Sequence, residues 1–155
     1  MIKVAKEDRG GVVWVKLTGS IEESVNLEDL IGPPPAALVI NCKEISRINS
    51  VGVKGWIKYF QTAQSKGTKL TFEECSTAIV EQVNLISNFV CGGKVDSIYV
   101  PFSCTQCKSE LIALFKVDDL KAQGEVQLPE LPCTKCGGSA TFDDIEEEYF
   151  AFLNR

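Results

Sequence analysis

The 155-residue chain contains no histidine. That absence removes the usual general base, proton shuttle and open-site metal ligand, and with them every Cys/His or Ser/His/Asp nucleophilic arrangement. No apolar run approaches the roughly 20 residues of a membrane span. No glycine-rich phosphate cradle is present either, because Gly10/Gly11 and Gly92/Gly93 lack the surrounding pattern. The N-terminus does not read as a secretory signal, which makes the expected compartment cytoplasmic. Basic residues are scarce in the last third. Positions 1–100 hold 11 basic and 11 acidic residues, whereas positions 101–155 hold 5 and 10, so the whole formal charge of -5 lies there. Such a field repels phosphate backbones, and a nucleic-acid partner is not expected.

What is present begins with two cysteine doublets, Cys104/Cys107 in PFSCTQCKS and Cys133/Cys136 in LPCTKCGGS. Each CxxC lets two sulfurs of one tight turn reach the same ion, and the intervening stretch suits a hairpin that joins the turns. Four thiolates make a closed tetrahedral site, so the expected cofactor is one structural Zn2+. A disulfide framework is the competing reading, opposed by the total of 7 cysteines, an odd number, and by the expected compartment. Gly137 and Gly138 are expected to supply the positive φ angles that aim amides at the sulfurs. Cys42, Cys75 and Cys91 lack partner spacing and read as small core hydrophobes. The adjacent carboxylates Glu22/Glu23, Glu73/Glu74 and Asp143/Asp144 read as solvated faces, since sequence neighbours point apart.

The first hundred residues alternate strand and helix signals. Val12–Leu17 and 36–40 are short apolar stretches bounded by Gly and Pro, and Ile2–Ala5 is expected to pair with the first through Asp8, Arg9, Gly10 and Gly11. Val53, Trp56, Ile57, Phe60 and Ala63 recur at helical spacing, with a stop at Lys66 and Gly67. Leu70 and Phe72 mark a strand, Ile79, Val83 and Ile86 a second helix, and 95–100 a last strand. The expected class is α/β (α+β), a mixed sheet with helices packed on it.

Between the strand at 38–40 and the first long helix stands RINSVGVKGW, residues 47–56, with Asn49 and Ser50 both suited to capping the helix. The order of elements, the Thr18, Gly19, Ser20, Ile21 turn, the LVINCKEISRINSVG stretch and the later KGTKLTF resemble the STAS domain, the fold of bacterial anti-sigma-factor antagonists, over residues 1–100. The family's loop reads Asp-Ser-Ser-Gly, with its second serine phosphorylated by a partner kinase. The resemblance puts Asn49 at the Asp, Ser50 at the first serine, Val51 at the phosphorylated serine and Gly52 at the glycine. Val51 has no hydroxyl, which leaves a permanently binding-competent module or phosphorylation displaced to Ser50. A capping role for Ser50 stands beside a role in partner contact.

Residues 101–155 read as a zinc-ribbon domain. Leu111–Phe115 is expected as a strand, Asp118–Gly124 as a loop and Val126–Leu131 as the antiparallel return. Asp144–Asn154 is expected as an amphipathic helix that packs back on the molecule or docks a partner. Together these readings describe a non-catalytic signalling adaptor. Its partner surface comprises Arg47, Asn49, Ser50, Val51, Gly52, Lys54 and Lys58, and its partner is a protein of the anti-sigma kinase type. A CxxC redox protein and a nucleotide- or lipid-sensing module are the alternatives.

Overall fold

The structure, a computed structural model, describes residues 2–121 and 128–154. Gly10 and Gly11 hold φ angles of 62° and 89°, the paired left-handed conformation that a two-residue hairpin needs. They join β1 (Lys3–Arg9) to β2 (Val12–Ile21), whose register closes at Arg9 opposite Val12. The expected turn at Thr18–Ile21 is instead the end of β2, in parallel register with β3 (Ala37–Ile48). Leu17 and Ile21, four residues apart, share β2's buried face, and the two register shifts there, between Lys16 and Thr18 and between Gly19 and Ser20, each add one residue to β3 relative to β2. Between them a short helix, α1 (Leu27–Ile31), is capped by Asn26 and buries Leu27 and Ile31 four residues apart. The sequence reading contained no element there, since five residues carry too little periodicity.

Helix α2 (Ser50–Ser65) runs as its apolar stripe predicts and ends where expected. Gly67 takes φ 81° and its N–H donates to Gln64 O at 3.0 Å, while Thr68 N–H donates to Ala63 O at 3.0 Å, the paired bonds that satisfy a helix's last carbonyls. Strand β4 (Lys69–Glu73), helix α3 (Thr77–Leu85) and the two-residue β5 (Lys94–Val95) complete a sheet of order β1-β2-β3-β4-β5, parallel throughout except at β1. Trp56 of α2 anchors the core beneath this sheet. It stacks on Phe89 at 5.0 Å, meets Phe60 at 4.8 Å and donates its indole N–H to Phe89 O at 3.0 Å.

The expected single strand over 95–100 is two strands in two sheets. At Asp96 the chain donates to Phe72 O at 2.8 Å, then leaves as β6 (Ser97–Cys104), whose Ile98 forms a parallel bridge with Cys75 just past the end of β4. β6 pairs antiparallel with β7 (Glu110–Lys116), and the full second sheet has the order β7-β6-β9-β8, with β8 (Leu131–Pro132) and β9 (Ser139–Phe142). The described end of the 126–131 stretch therefore pairs with β9 rather than with Leu111–Phe115. β6 fills the other side of β7's ladder. Val117–Lys121 forms a short helix, α4, instead of loop, because Val117 and Leu120 are buried and Asp118 and Asp119 stand in its first turn. The remainder of these two expectations, 122–127, lies outside the described residues.

The C-terminal stretch divides into α5 (Glu146–Tyr149) and a 3-10 turn (Ala151–Asn154) that pack back on the molecule. Tyr149 and Phe150 are buried, Asn84 of α3 donates to Tyr149 O at 2.7 Å, and Phe152 N–H donates back to Asn84 Oδ1 at 2.9 Å. The Tyr149 hydroxyl donates to Tyr99 O at 2.5 Å, and burial drives its ionisation well above the ordinary tyrosine range. β6 runs through residue 100, and buried side chains from both sheets form one continuous core. Among the described residues no helix is long and apolar enough to cross a membrane.

Candidate metal centre

The two cysteine doublets come together at one end of the second sheet. Cys104 closes β6 and Cys133 follows β8, so the pairing of both strands with β9 sets the distance between the turns that follow them. Thr105 of the first turn donates both its N–H, at 2.9 Å, and its hydroxyl, at 3.0 Å, to Ser139 O beside the second. All four sulfurs lie within 4.8 Å of one another, Cys104 Sγ 3.5 Å from Cys136 Sγ and Cys107 Sγ 3.6 Å from Cys133 Sγ. A tetrahedral ion with metal–sulfur bonds near 2.3 Å separates its sulfurs by about 3.8 Å. The cluster fits one such ion, and with four protein ligands it leaves no position for water or substrate.

The turns are built alike. Gln106 N–H and Cys107 N–H each reach Cys104 Sγ at 3.4 Å, Lys135 N–H reaches Cys133 Sγ at 3.4 Å, and Gly138 N–H reaches Cys136 Sγ at 3.4 Å. These amides offset part of the negative charge that four thiolates bring. Four residues after each leading cysteine the chain turns left-handed, at Lys108 (φ 64°) and Gly137 (φ 75°). Only the second of these positions is glycine. Gly138 has no positive φ, and its part is its amide and its lack of a side chain, since a Cβ there would sit 2.9 Å from the Gln106 side chain.

The four sulfurs are not equivalent. Cys104 and Cys133 are buried, Cys107 and Cys136 exposed. Hydrogen bonding from Ser109, whose Oγ is 3.1 Å from Cys107 Sγ, pulls the Cys107 thiol down to about 6. The Gly138 amide favours a Cys136 thiolate, but the hydrogen bonds that the Cys136 thiol donates to the Cys104 and Cys107 sulfurs outweigh it and push that thiol up to about 11. The metal-free chain at pH 7 is thus expected to react with iodoacetamide first at Cys107, exposed and mostly thiolate, before Cys136; peptide mapping against time would show the order. The same treatment of the metal-loaded chain should leave all four unmodified.

The sequence pointed to the four clustered cysteines but not to Ser109, nor to Lys108 standing where the other turn has glycine. It also read Glu73 and Glu74 as solvated. In fact Glu74 takes φ 48°, which swings it back beside its neighbour, and the buried Asn41 amide donates to Glu73 Oε2 at 2.7 Å and to Glu74 as well. Trp14 Nε1 (3.2 Å) donates to Glu73 and the Tyr99 hydroxyl (3.3 Å) to Glu74. Cys42, Cys75 and Cys91 are fully buried, and burial pushes the Cys42 and Cys91 thiols up, away from nucleophilic use.

The loop after β3 places the residues of the expected partner surface. Asn49, not Ser50, caps α2: its Oδ1 accepts from Gly52 N–H at 2.7 Å, and its amide donates to Glu23 Oε2 at 2.9 Å, which holds the Glu23 carboxyl below its usual value. Ser50 is the first helical residue and is exposed. Arg47, Asn49, Val51, Lys54 and Lys58 are exposed too, with Val51, Lys54 and Lys58 three and four residues apart on one face. Gly52 is buried, and a Cβ there would lie 2.2 Å from Ile21 O, so it serves the close approach of α2 to the end of β2. No family model matches the chain, and no curated protein matches it.

Proposed function

We propose that the chain is a non-catalytic, protein-binding signalling module of the STAS, anti-sigma-factor-antagonist kind, carrying a structural zinc ion on Cys104, Cys107, Cys133 and Cys136. The observation that carries the reading is the N-terminal half of α2. It stands at the end of parallel strands β2 and β3, capped from outside by Asn49, and presents Ser50, apolar Val51 and the cations Lys54 and Lys58 to solvent. Lys54 and Lys58 are the only charges on this helix. Such a face suits an acidic protein surface, the kind a kinase-type regulator would present. Val51 occupies the position at which the resembled family is phosphorylated, so the module binds without that switch. A phosphate on Ser50 would meet the positive end of α2 and oppose the same acidic surface.

The zinc reading rests on the closed sulfur set and its separations. Bound there, the ion supplies folding free energy and no chemistry on a substrate. Affinity purification of the full chain from its native cell tests the binding reading. Ser50→Asp and Lys54→Glu should each lower retention of the principal partner by at least about tenfold, through like charge set against an acidic surface. Unchanged retention in both variants would mean that the surface lies elsewhere. The dithiol alternative separates by metal analysis, since a redox protein is isolated metal-free with a reversible disulfide.

A further inference from the structure

Of the four outer strands in the two sheets, three are guarded. β1 carries Lys3, Lys6, Glu7, Asp8 and Arg9 along its exposed length, β5 has two residues, and β8 has two of which one is proline. Charge, shortness and proline are the means by which sheet edges avoid pairing with other chains. β7 has none of them in its centre. It reads Glu110-Leu-Ile-Ala-Leu-Phe-Lys116, lies at the edge of its sheet, and leaves Ile112 57% and Leu114 45% exposed.

The direction of its free backbone groups follows from its partner strand. Pro101 has no N–H and stands opposite Ile112, and its carbonyl accepts from Asp143 N–H on the far side at 3.0 Å. Tyr99, opposite Leu114, likewise sends its N–H away from β7, to Cys75 O at 2.8 Å. These are the non-hydrogen-bonded pairs of the β6/β7 ladder, so the N–H and C=O of Glu110, Ile112, Leu114 and Lys116 point to the open edge. The side chains of the same four residues share one exposed face.

We infer that β7 pairs antiparallel with β7 of a second copy of this chain, about a two-fold axis at Ala113. The strand is complementary to its own reverse. Ile112 falls opposite Leu114 of the second copy, and Glu110 falls opposite Lys116. Every one of these pairs joins residues whose backbone groups already face outward, so each forms a hydrogen-bonded pair of the new ladder. On the exposed face the apolar side chains of both copies meet in one patch, bounded at each end by an opposite-charge pair. Neither Glu110 nor Lys116 has an ion-pair partner among the described residues of its own chain. Moving the register by two residues in either direction breaks both charge pairs and sets Ile112 or Leu114 opposite itself. The two four-stranded sheets become one continuous sheet, and the partner is chosen by self-complementarity.

Sedimentation of the full chain across a concentration series tests this. The wild-type chain should approach twice its 17.0 kDa mass as concentration rises. Glu110→Lys and Lys116→Glu each place like charges opposite one another at both ends of the two-fold ladder, and each should raise the dimer dissociation constant about tenfold. In an equal mixture of the two variants, a pair made of one copy of each again sets opposite charges against one another at both ends, so the mixture should recover the wild-type dissociation constant. That recovery also shows that both variants are folded. A wild-type chain that stays monomeric throughout, a dimer that neither variant weakens, or a mixture that fails to recover would each overturn the inference.

Discussion

Replacing Cys133 by serine is expected to abolish tight zinc binding and to unfold the second sheet at its metal end, the largest effect of any single substitution here. Cys133 is buried, its sulfur accepts from Lys135 N–H at 3.4 Å, and its own N–H is bound to Gly138 O at 2.7 Å. A closed four-thiolate site contributes apparent folding free energy on the order of 10 kcal/mol. β8 has two residues and β9 four, so short ladders alone fix their register and a bound ion would add most of the restraint at that end. Metal content should fall from about one ion per chain to a small fraction of that, and amide exchange should accelerate across β8 and β9. Protection in β2 and β3 should survive, because their pairing and core contacts are remote from the sulfurs. A variant that keeps its ion and its β9 protection would show that the cluster does not hold the fold together.

Trp56→Ala is expected to destabilise the first sheet and its helices by about 3–5 kcal/mol, read as a lower urea midpoint. The indole is fully buried among Phe60, Phe72 and Phe89 and is the largest side chain in the core. Truncation leaves a cavity under α2 and takes the hydrogen-bond donor from Phe89 O. Metal content should be unchanged, which distinguishes this loss from that of Cys133→Ser. A midpoint within error of wild type would mean that the aromatic cluster does not carry the core.

The four-cysteine cluster was legible because CxxC spacing is a local geometric constraint that survives any surrounding fold. Helices α2 and α3 were legible for a similar reason, their apolar residues repeating within the element itself. The α/β class followed from the alternation of these signals. What escaped was decided at a distance. The stretch 95–100 reads as one strand, and the change of sheet at Asp96 arises because Asp96 N–H is taken by Phe72 O and its carbonyl by Val117 N–H at 2.9 Å. The partner of Leu131–Pro132 depended on β9, four residues hidden behind the second cysteine turn. Ser50 and Asn49 were equally good caps in the sequence, and the choice fell to Asn49 because its amide also reaches Glu23, 26 positions away. Glu73 and Glu74 converge only because Glu74 adopts a left-handed backbone, which a non-glycine residue does not advertise.

The unequal burial of the four sulfurs would give a bound ion a front and a back. Cys104 and Cys133 would hold it from the protein side, while Cys107 and Cys136 face solvent. A competing thiol or chelator would meet those outer sulfurs first, and the inner pair would be the last to let go. Such a clasp could be strong at equilibrium and still exchange a metal without the core opening, a kinetic freedom that a fully enclosed site would deny it.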